Sequence, residues 1–214
     1  MRESSKTRAA HHVTLEAKRA RALVKLSSAQ CDLGAFDAAL APALEAITLY
    51  RSLTPLQPDT FQPDLAAALE LAGRAQSALG QHDAALVHVM EAMDTYRGLA
   101  KSHPEDYLPR FALTLNQLSI CLRHLGRMQE ALPVARNALE WLWPYYERFP
   151  EVHRQAIRTM FGVLIDLHEQ LGSRVDALWA RRFEELAARE TGQTKKAPAP
   201  PKAGPRKKAR GRTN

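Results

Sequence analysis

Apolar residues recur along the chain at the spacing of an α-helix, and this pattern restarts several times. Between Leu65 and Leu79 the apolar side chains of Leu65, Leu69, Ala72 and Leu79 fall on one helical face. Alanine and leucine dominate the composition and β-branched residues are sparse, which favours helices over strands. The pattern predicts an all-α protein built from several amphipathic helices.

The dipeptide Leu-Gly marks where each pattern restarts, at a constant step of 46 residues. It occurs at Leu33-Gly34, Leu79-Gly80, Leu125-Gly126 and Leu171-Gly172. An alanine follows in the same register, at Ala39, Ala85, Ala131 and Ala177. Glycine tolerates the left-handed backbone that often ends a helix, so each Leu-Gly is predicted to be a turn. Several columns with one period indicate an array of helix pairs.

The turn and start signals predict four helix pairs. Pro63 with Asp64 is interpreted as the start of the first helix of the second pair, and Asp83 as the cap of the second helix of that pair. Pro109 is interpreted as the start of the third pair. The predicted pairs are 14–33 with 37–53, 64–79 with 83–100, 109–125 with 129–147, and 151–171 with 174–190. Residues 1–13 are predicted to be a flexible N-terminus, 14–190 the helical array, and 191–214 a disordered basic tail.

Two columns of small residues lie on the second helix of each pair. Alanine at 39, 85 and 131 would let this helix approach the first helix of its own pair. The later column, Ala46, Ala92 and Ala138, would let it approach the next pair.

These columns resemble the tetratricopeptide repeat family, which also has a small residue after Leu in its first helix. The two residues at the corresponding positions of the four repeats are Leu26-Ser27, Ala72-Gly73, Leu118-Ser119 and Leu164-Ile165. The usual family period is about 34 residues. The longer step is similar to long-repeat members such as the kinesin light chain repeats and multi-repeat bacterial and fungal proteins. The resemblance implies a right-handed α-solenoid whose first helices line a concave groove for a protein segment.

By register with that family, three polar side chains would lie in the groove: Arg74, Asn116 and Arg123. Guanidinium and amide groups can hold a carboxylate or a peptide backbone. The alternative is that the three are solvated surface residues.

An aromatic cluster is peculiar to the third repeat, in the segment "EWLWPYYERFP". It comprises Trp141, Trp143, Tyr145, Tyr146 and Phe149. One interpretation is packing against the start of the fourth repeat, because Pro144 would bend or end the helix there. The other is an interaction patch for a partner or for self-association, since Trp and Tyr are favoured at interface cores.

The formal net charge of +7 is concentrated in the tail. Residues 193–214 contain eight Lys or Arg and no acid, so the rest of the chain has a net charge of −1. Four prolines and a lack of large apolar groups predict disorder there. The basic residues between 195 and 212 are candidates for weak nucleic-acid binding.

No catalytic motif is present: the sequence lacks HExxH, GxSxG and a Gly-rich phosphate loop. The histidines do not have metal-ligand spacing, and Cys31 and Cys121 are expected to be reduced packing residues of a cytoplasmic protein. We therefore expect no catalytic residue, metal, cofactor or membrane partner. The predicted function is a non-catalytic scaffold or adaptor that binds a protein segment, and the alternative is a nucleic-acid-associated protein.

Overall fold

The structure, a computed structural model, describes the backbone of residues 2–190 and the side chains of residues 11–189. All regular secondary structure in this range is helical, which confirms the all-α prediction. The helices are α1 (Arg2–Asp32), α2 (Phe36–Leu53), α3 (Pro58–Ala78), α4 (His82–Ser102), α5 (Pro104–His124), α6 (Met128–Arg148), α7 (Pro150–Gln170) and α8 (Ala177–Glu190). The chain divides after Val175 into two compact parts, the first with α1–α7 and the second with α8.

Consecutive helices of the first part pack against each other, from α1 with α2 through to α6 with α7. The odd-numbered helices also meet directly, α1 with α3, α3 with α5 and α5 with α7. Each even-numbered helix up to α6 therefore lies against two odd-numbered ones.

The four Leu-Gly turns share one backbone geometry. Gly34, Gly80, Gly126 and Gly172 have φ angles of 74°, 75°, 73° and 61°. The residue after each glycine donates its N–H to the carbonyl five positions earlier: Ala35 to Gln30, Gln81 to Gln76, Arg127 to Leu122, and Ser173 to His168. This is the Schellman ending, which satisfies carbonyls that the helix end leaves without a partner.

The helix starts differ from the sequence-based expectation. Proline at 58, 104 and 150 occupies the first turn of α3, α5 and α7, again at 46-residue steps. Pro63 and Pro109, interpreted as start signals, lie inside α3 and α5. A proline in the first turn loses no intrahelical hydrogen bond, and in all three helices an acidic residue follows it at the positive end of the helix dipole. The helix α6 continues through Pro144 to Arg148, so Pro144 does not end it.

The two ends of the described range also differ from the predicted boundaries. The helix α1 begins at Arg2 and so includes residues 2–13, which the sequence analysis assigned to a flexible N-terminus. In the second part, α8 begins at Ala177, three residues later than expected. The Asp176 carboxylate accepts a hydrogen bond from the Trp179 backbone N–H at 3.1 Å and so caps this helix. The predicted tail, 191–214, lies outside the described residues.

Small residues allow the close helix contacts in the first part. Alanine at 39, 85, 131, 46, 92 and 138 is fully buried. The Ser27 hydroxyl of α1 donates to the Ala39 carbonyl of α2 at 2.8 Å. A Cβ on Gly73 of α3 would lie 2.5 Å from Val89 Cγ2 of α4. By contrast Ala177, in the same sequence column as Ala39, is exposed as the first residue of α8.

Candidate functional site

Two of the three predicted groove residues form ion pairs between neighbouring odd-numbered helices. The Arg74 guanidinium of α3 donates to Asp32 Oδ1 of α1 at 2.8 Å. The Arg123 guanidinium of α5 donates to Asp166 Oδ2 of α7. We call the surface where α1, α3, α5 and α7 meet, with Arg74, Asn116 and Arg123, the odd-helix face. Within the described residues no hydrogen bond joins these three side chains to one another.

The two ion pairs differ in exposure. The side chains of Arg74 and Asp32 are 42% and 67% exposed, so water and salt weaken this pair. Those of Arg123 and Asp166 are 24% and 35% exposed. Hydrogen bonds from Gln170 and Arg123 hold the pKa of Asp166 below its ordinary value. Arg74 is therefore the guanidinium that can exchange its carboxylate more easily.

Asn116 is the most buried of the predicted groove residues, at 9% exposure. Its Oδ1 atom is buried and accepts no hydrogen bond from the residues whose side chains the structure describes. A buried acceptor without a partner costs about 1–3 kcal/mol of desolvation free energy. A ligand could donate a hydrogen bond to this atom only if the Asn116 side chain turned toward the surface, because the atom is closed to solvent.

The position equivalent to Asn116 in the preceding pair is Glu70 of α3, and it belongs to a polar cluster. Glu70 Oε2 accepts a hydrogen bond from the Tyr96 hydroxyl of α4 at 3.3 Å and lies 3.8 Å from Arg110 Nη1 of α5. Burial raises the pKa of the Glu70 carboxyl, and Arg110 partly opposes that rise. Burial and the Glu70 charge likewise raise the pKa of Tyr96.

A second tyrosine cluster lies between α1 and α3, one repeat earlier. Its basic residue is on the earlier helix and its acidic residue on the later one, which is the reverse of Glu70 and Arg110. There Arg21 of α1 and Asp64 of α3 form an ion pair at 3.3 Å. Burial and then Asp64 raise the pKa of Tyr50 on α2. Neither cluster was predicted from the sequence, although Tyr50 and Tyr96 lie 46 residues apart in one column, which was the available signal.

The structure separates the aromatic cluster of α6 into buried and exposed members. Trp143 and Tyr146 are 2% and 1% exposed. Trp143 lies edge-on to Phe161 of α7, with ring centroids 6.1 Å apart. Trp141 is instead 46% exposed and meets Phe111 of α5 edge-on at 6.1 Å. Packing accounts for the buried pair, and Trp141 remains on the surface.

Trp141 borders two adjoining surface cavities. The first, of about 350 Å³, we call the Trp141 pocket, and its lining is Arg97, Ala100, Lys101, Leu108, Phe111 and Trp141. The second, of about 400 Å³, is lined by Glu105, Leu108, Glu140, Trp141, Pro144, Tyr145 and Arg148. Leu108 and Trp141 line both, so they lie between the two cavities.

An equivalent cavity of about 550 Å³ lies one repeat earlier, and its lining is more polar than that of the Trp141 pocket but similar to that of the second cavity. Residues related by 46 positions occupy the two sites: Thr54 and Ala100, Gln62 and Leu108, Leu65 and Phe111, Thr95 and Trp141, Gly98 and Pro144. Thr54, Gln62 and Thr95 of the earlier cavity are therefore replaced by apolar side chains, whereas Asp94 is replaced by another acidic residue, Glu140. The helices around the two equivalent sites pack in the same way, so this packing does not require an apolar lining.

The remaining titratable groups include a pair of stacked histidines. His82 of α4 and His124 of α5 stack with ring centroids 4.5 Å apart. Burial, then Arg123 and His82, lowers the pKa of His124. No group of three metal-ligating side chains occurs among the described residues. Over the same residues, no helix combines the length and apolar character needed to span a bilayer.

Comparison of the chain with protein-family models finds no match, and comparison with curated proteins finds none either.

Proposed function

We propose that the protein is a non-catalytic adaptor, an α-solenoid of tetratricopeptide-like helix pairs that binds a segment of another protein across its odd-helix face. The observation that carries this proposal is the polar character of that face. Successive odd-numbered helices are joined there by Arg74 with Asp32, by Gln117 with the Glu70 carbonyl, and by Arg123 with Asp166. Exposed ion pairs such as Arg74 with Asp32 contribute little to stability, so the helices do not need these polar groups in order to pack.

Arg74 and Asn116 are the groups of this face best suited to a ligand. A carboxylate of the partner would replace Asp32 on Arg74 at little cost, because exposed ion pairs contribute only about 0–1 kcal/mol. If the Asn116 side chain turned toward the surface, its Oδ1 atom, which is otherwise buried, would accept a hydrogen bond from a peptide N–H. Both interactions fit an extended segment that carries an acidic side chain or a terminal carboxylate.

Site-specific photo-crosslinking of the full chain tests the location. A photoreactive residue at Ile120, in the sequence column of Arg74, should trap a partner from a cell extract. The same residue at Val87 of α4, which is 63% exposed, is the control and should trap none. Crosslinks from position 87 alone would contradict the proposed face.

The trapped partner then tests the contacts. We expect the triple change Arg74→Ala, Asn116→Ala and Arg123→Ala to weaken binding about tenfold to hundredfold. Helicity, measured by circular dichroism, should not change. The matched control is Arg127→Ala with Glu130→Ala, which removes an exposed ion pair at the start of α6. A folded triple variant with wild-type affinity would refute the assignment.

A nucleic-acid-associated function is the second candidate, and the separation of charge in the sequence favours it. Eight basic residues and no acid lie between 193 and 214. Shortening the chain to residues 1–192 should abolish binding to duplex DNA. For the full chain, log affinity should fall with log salt at a slope no steeper than about −7. Equal affinities of the two chains would exclude this role.

A further inference from the structure

We propose that the Trp141 pocket is a self-association surface that joins two copies of this chain about a two-fold axis. The pocket has Ala100, Leu108 and Trp141 where its counterpart one repeat earlier has Thr54, Gln62 and Thr95, and Trp141 at its edge is 46% exposed. Large aromatic side chains in such positions dominate the binding energy of protein interfaces. This inference is independent of the odd-helix face.

Charge complementarity identifies the second copy as the occupant. Lys101 lines the Trp141 pocket, and Glu140 lines the adjoining cavity on the other side of Trp141. Within residues 11–189, neither the Lys101 ammonium group nor the Glu140 carboxylate has an ion-pair partner. The other charged residues of the two linings have partners, Arg97 with Asp94 and Arg148 with Glu105.

A two-fold axis requires a surface that is complementary to itself. An axis close to Trp141 would place Trp141 against the same residue of the second copy. It would also place Lys101 of each copy opposite Glu140 of the other, so that two identical ion pairs flank an aromatic centre. Such an arrangement closes on itself as a dimer and does not extend into a filament.

The size of the surface sets the expected strength. Stable dimers bury about 800 Å² per partner, and two small cavities provide less than a large obligate interface. We therefore expect a reversible dimer with a dissociation constant of roughly micromolar magnitude. Sedimentation velocity over a dilution series of the full chain measures this constant directly.

A charge-reversal series tests the pairing. Glu140→Lys and Lys101→Glu should each raise the dissociation constant about tenfold or more, because every dimer then contains two pairs of like charges. The double variant, Lys101→Glu with Glu140→Lys, should restore it to near the wild-type value. Glu169→Lys changes the charge of an exposed residue on α7 by the same amount and is expected to have no effect.

Trp141→Thr tests the aromatic centre by introducing the residue that the second pair has at the equivalent position. The dissociation constant should rise about 30-fold or more, while circular dichroism stays unchanged. A wild-type chain that remains monomeric at ~1 mM would overturn the proposal. So would a dimer that is insensitive to both Trp141→Thr and Glu140→Lys, or a double variant as weak as the single ones.

Discussion

The second and third helix pairs, α3–α4 and α5–α6, share one set of backbone contacts but have different surfaces. Both pairs turn at a left-handed glycine, Gly80 or Gly126, and both bury an alanine completely, at Ala85 or Ala131. The cavity beside them has a more polar lining in the second pair than in the third, with Thr95 replaced by Trp141. Small residues and turns therefore maintain the packing, while the positions around them are free to acquire different chemistry.

The largest loss of stability in the two pairs is expected from substitutions of the buried alanines. Ala85→Leu and Ala131→Leu should each destabilise the chain by about 1–3 kcal/mol, because a larger side chain has no space between the helices. Ala177→Leu is the matched control from the same column. It is exposed and should change stability by less than about 0.5 kcal/mol. Urea unfolding followed by circular dichroism measures all three, and a loss at only one buried site would show that the pairs are packed differently.

Alanine substitutions at two glycines are expected to change the stability of the chain in opposite directions. Gly126→Ala should destabilise the chain by about 1–2 kcal/mol, because its φ of 73° is unfavourable for a residue with a Cβ. Gly98→Ala, inside α4, should stabilise it by about 0.4–1 kcal/mol, because a Cβ there meets no atom within 4 Å. Thermal melts of the two variants should move in opposite directions. A stabilised Gly126→Ala would be inconsistent with the turn geometry.

The polar cluster of the second pair should respond to pH. Because burial raises the folded-state pKa of Glu70, wild-type stability falls as pH rises from about 4.5, its ordinary value, through the higher folded value. We expect the Glu70→Gln variant to lack this fall in stability and to be more stable than the wild type at neutral pH.

Glu130 on the third pair provides the opposite case for the same measurement. A hydrogen bond from Arg127 lowers the pKa of its carboxyl. Its stabilising contribution is therefore present above the ordinary pKa and lost on acidification. Urea unfolding at several pH values should give differences of opposite sign for Glu70→Gln and Glu130→Gln. Two differences of the same sign would refute the burial of Glu70.

The smallest effect is expected at the stacked histidines between the two pairs. The folded-state pKa of His124 is lowered, so stability should fall as pH drops through 6.5, its ordinary value. Arg123 and His82 disfavour the charged ring, and Asp166 favours it. His82→Phe introduces the residue that the first repeat has at this position, Phe36. The decrease in melting temperature from about pH 8 to about pH 5 should be smaller in this variant, and an unchanged decrease would mean that the stack contributes nothing.

Sequence periodicity was sufficient to predict the helices and their approximate ends, because turn glycines and small residues are local signals. The predicted starts of α3 and α5 were wrong. Pro63 and Pro109 were interpreted as the start signals, but the helices begin at Pro58 and Pro104. The constant spacing of Pro58, Pro104 and Pro150 was the better signal. It was also insufficient for residues 2–13, which form the first turns of α1.

The environment of the candidate residues was less predictable, because it depends on contacts between distant positions. The partners of Arg74 and Arg123 lie 42 and 43 positions away, on the neighbouring odd-numbered helix. No local pattern indicates that Asn116 Oδ1 would be buried without a donor. The difference between Trp141 and Trp143 could have been anticipated, since residues two apart on a helix face different directions.

The identical turns have a consequence for how such a chain can change over evolutionary time. The same glycine turn and helix entry recur 46 residues later, so an in-frame loss of residues 81–126 would join Gly80 directly to Arg127. The new junction would have the form of the old one, with its glycine and its carbonyl acceptors in place. A chain with one pair fewer, or one pair more, is therefore a single recombination event away. In the shortened chain His82 and its stack with His124 would be lost, and Met128 would take the place of His82 in the sequence register.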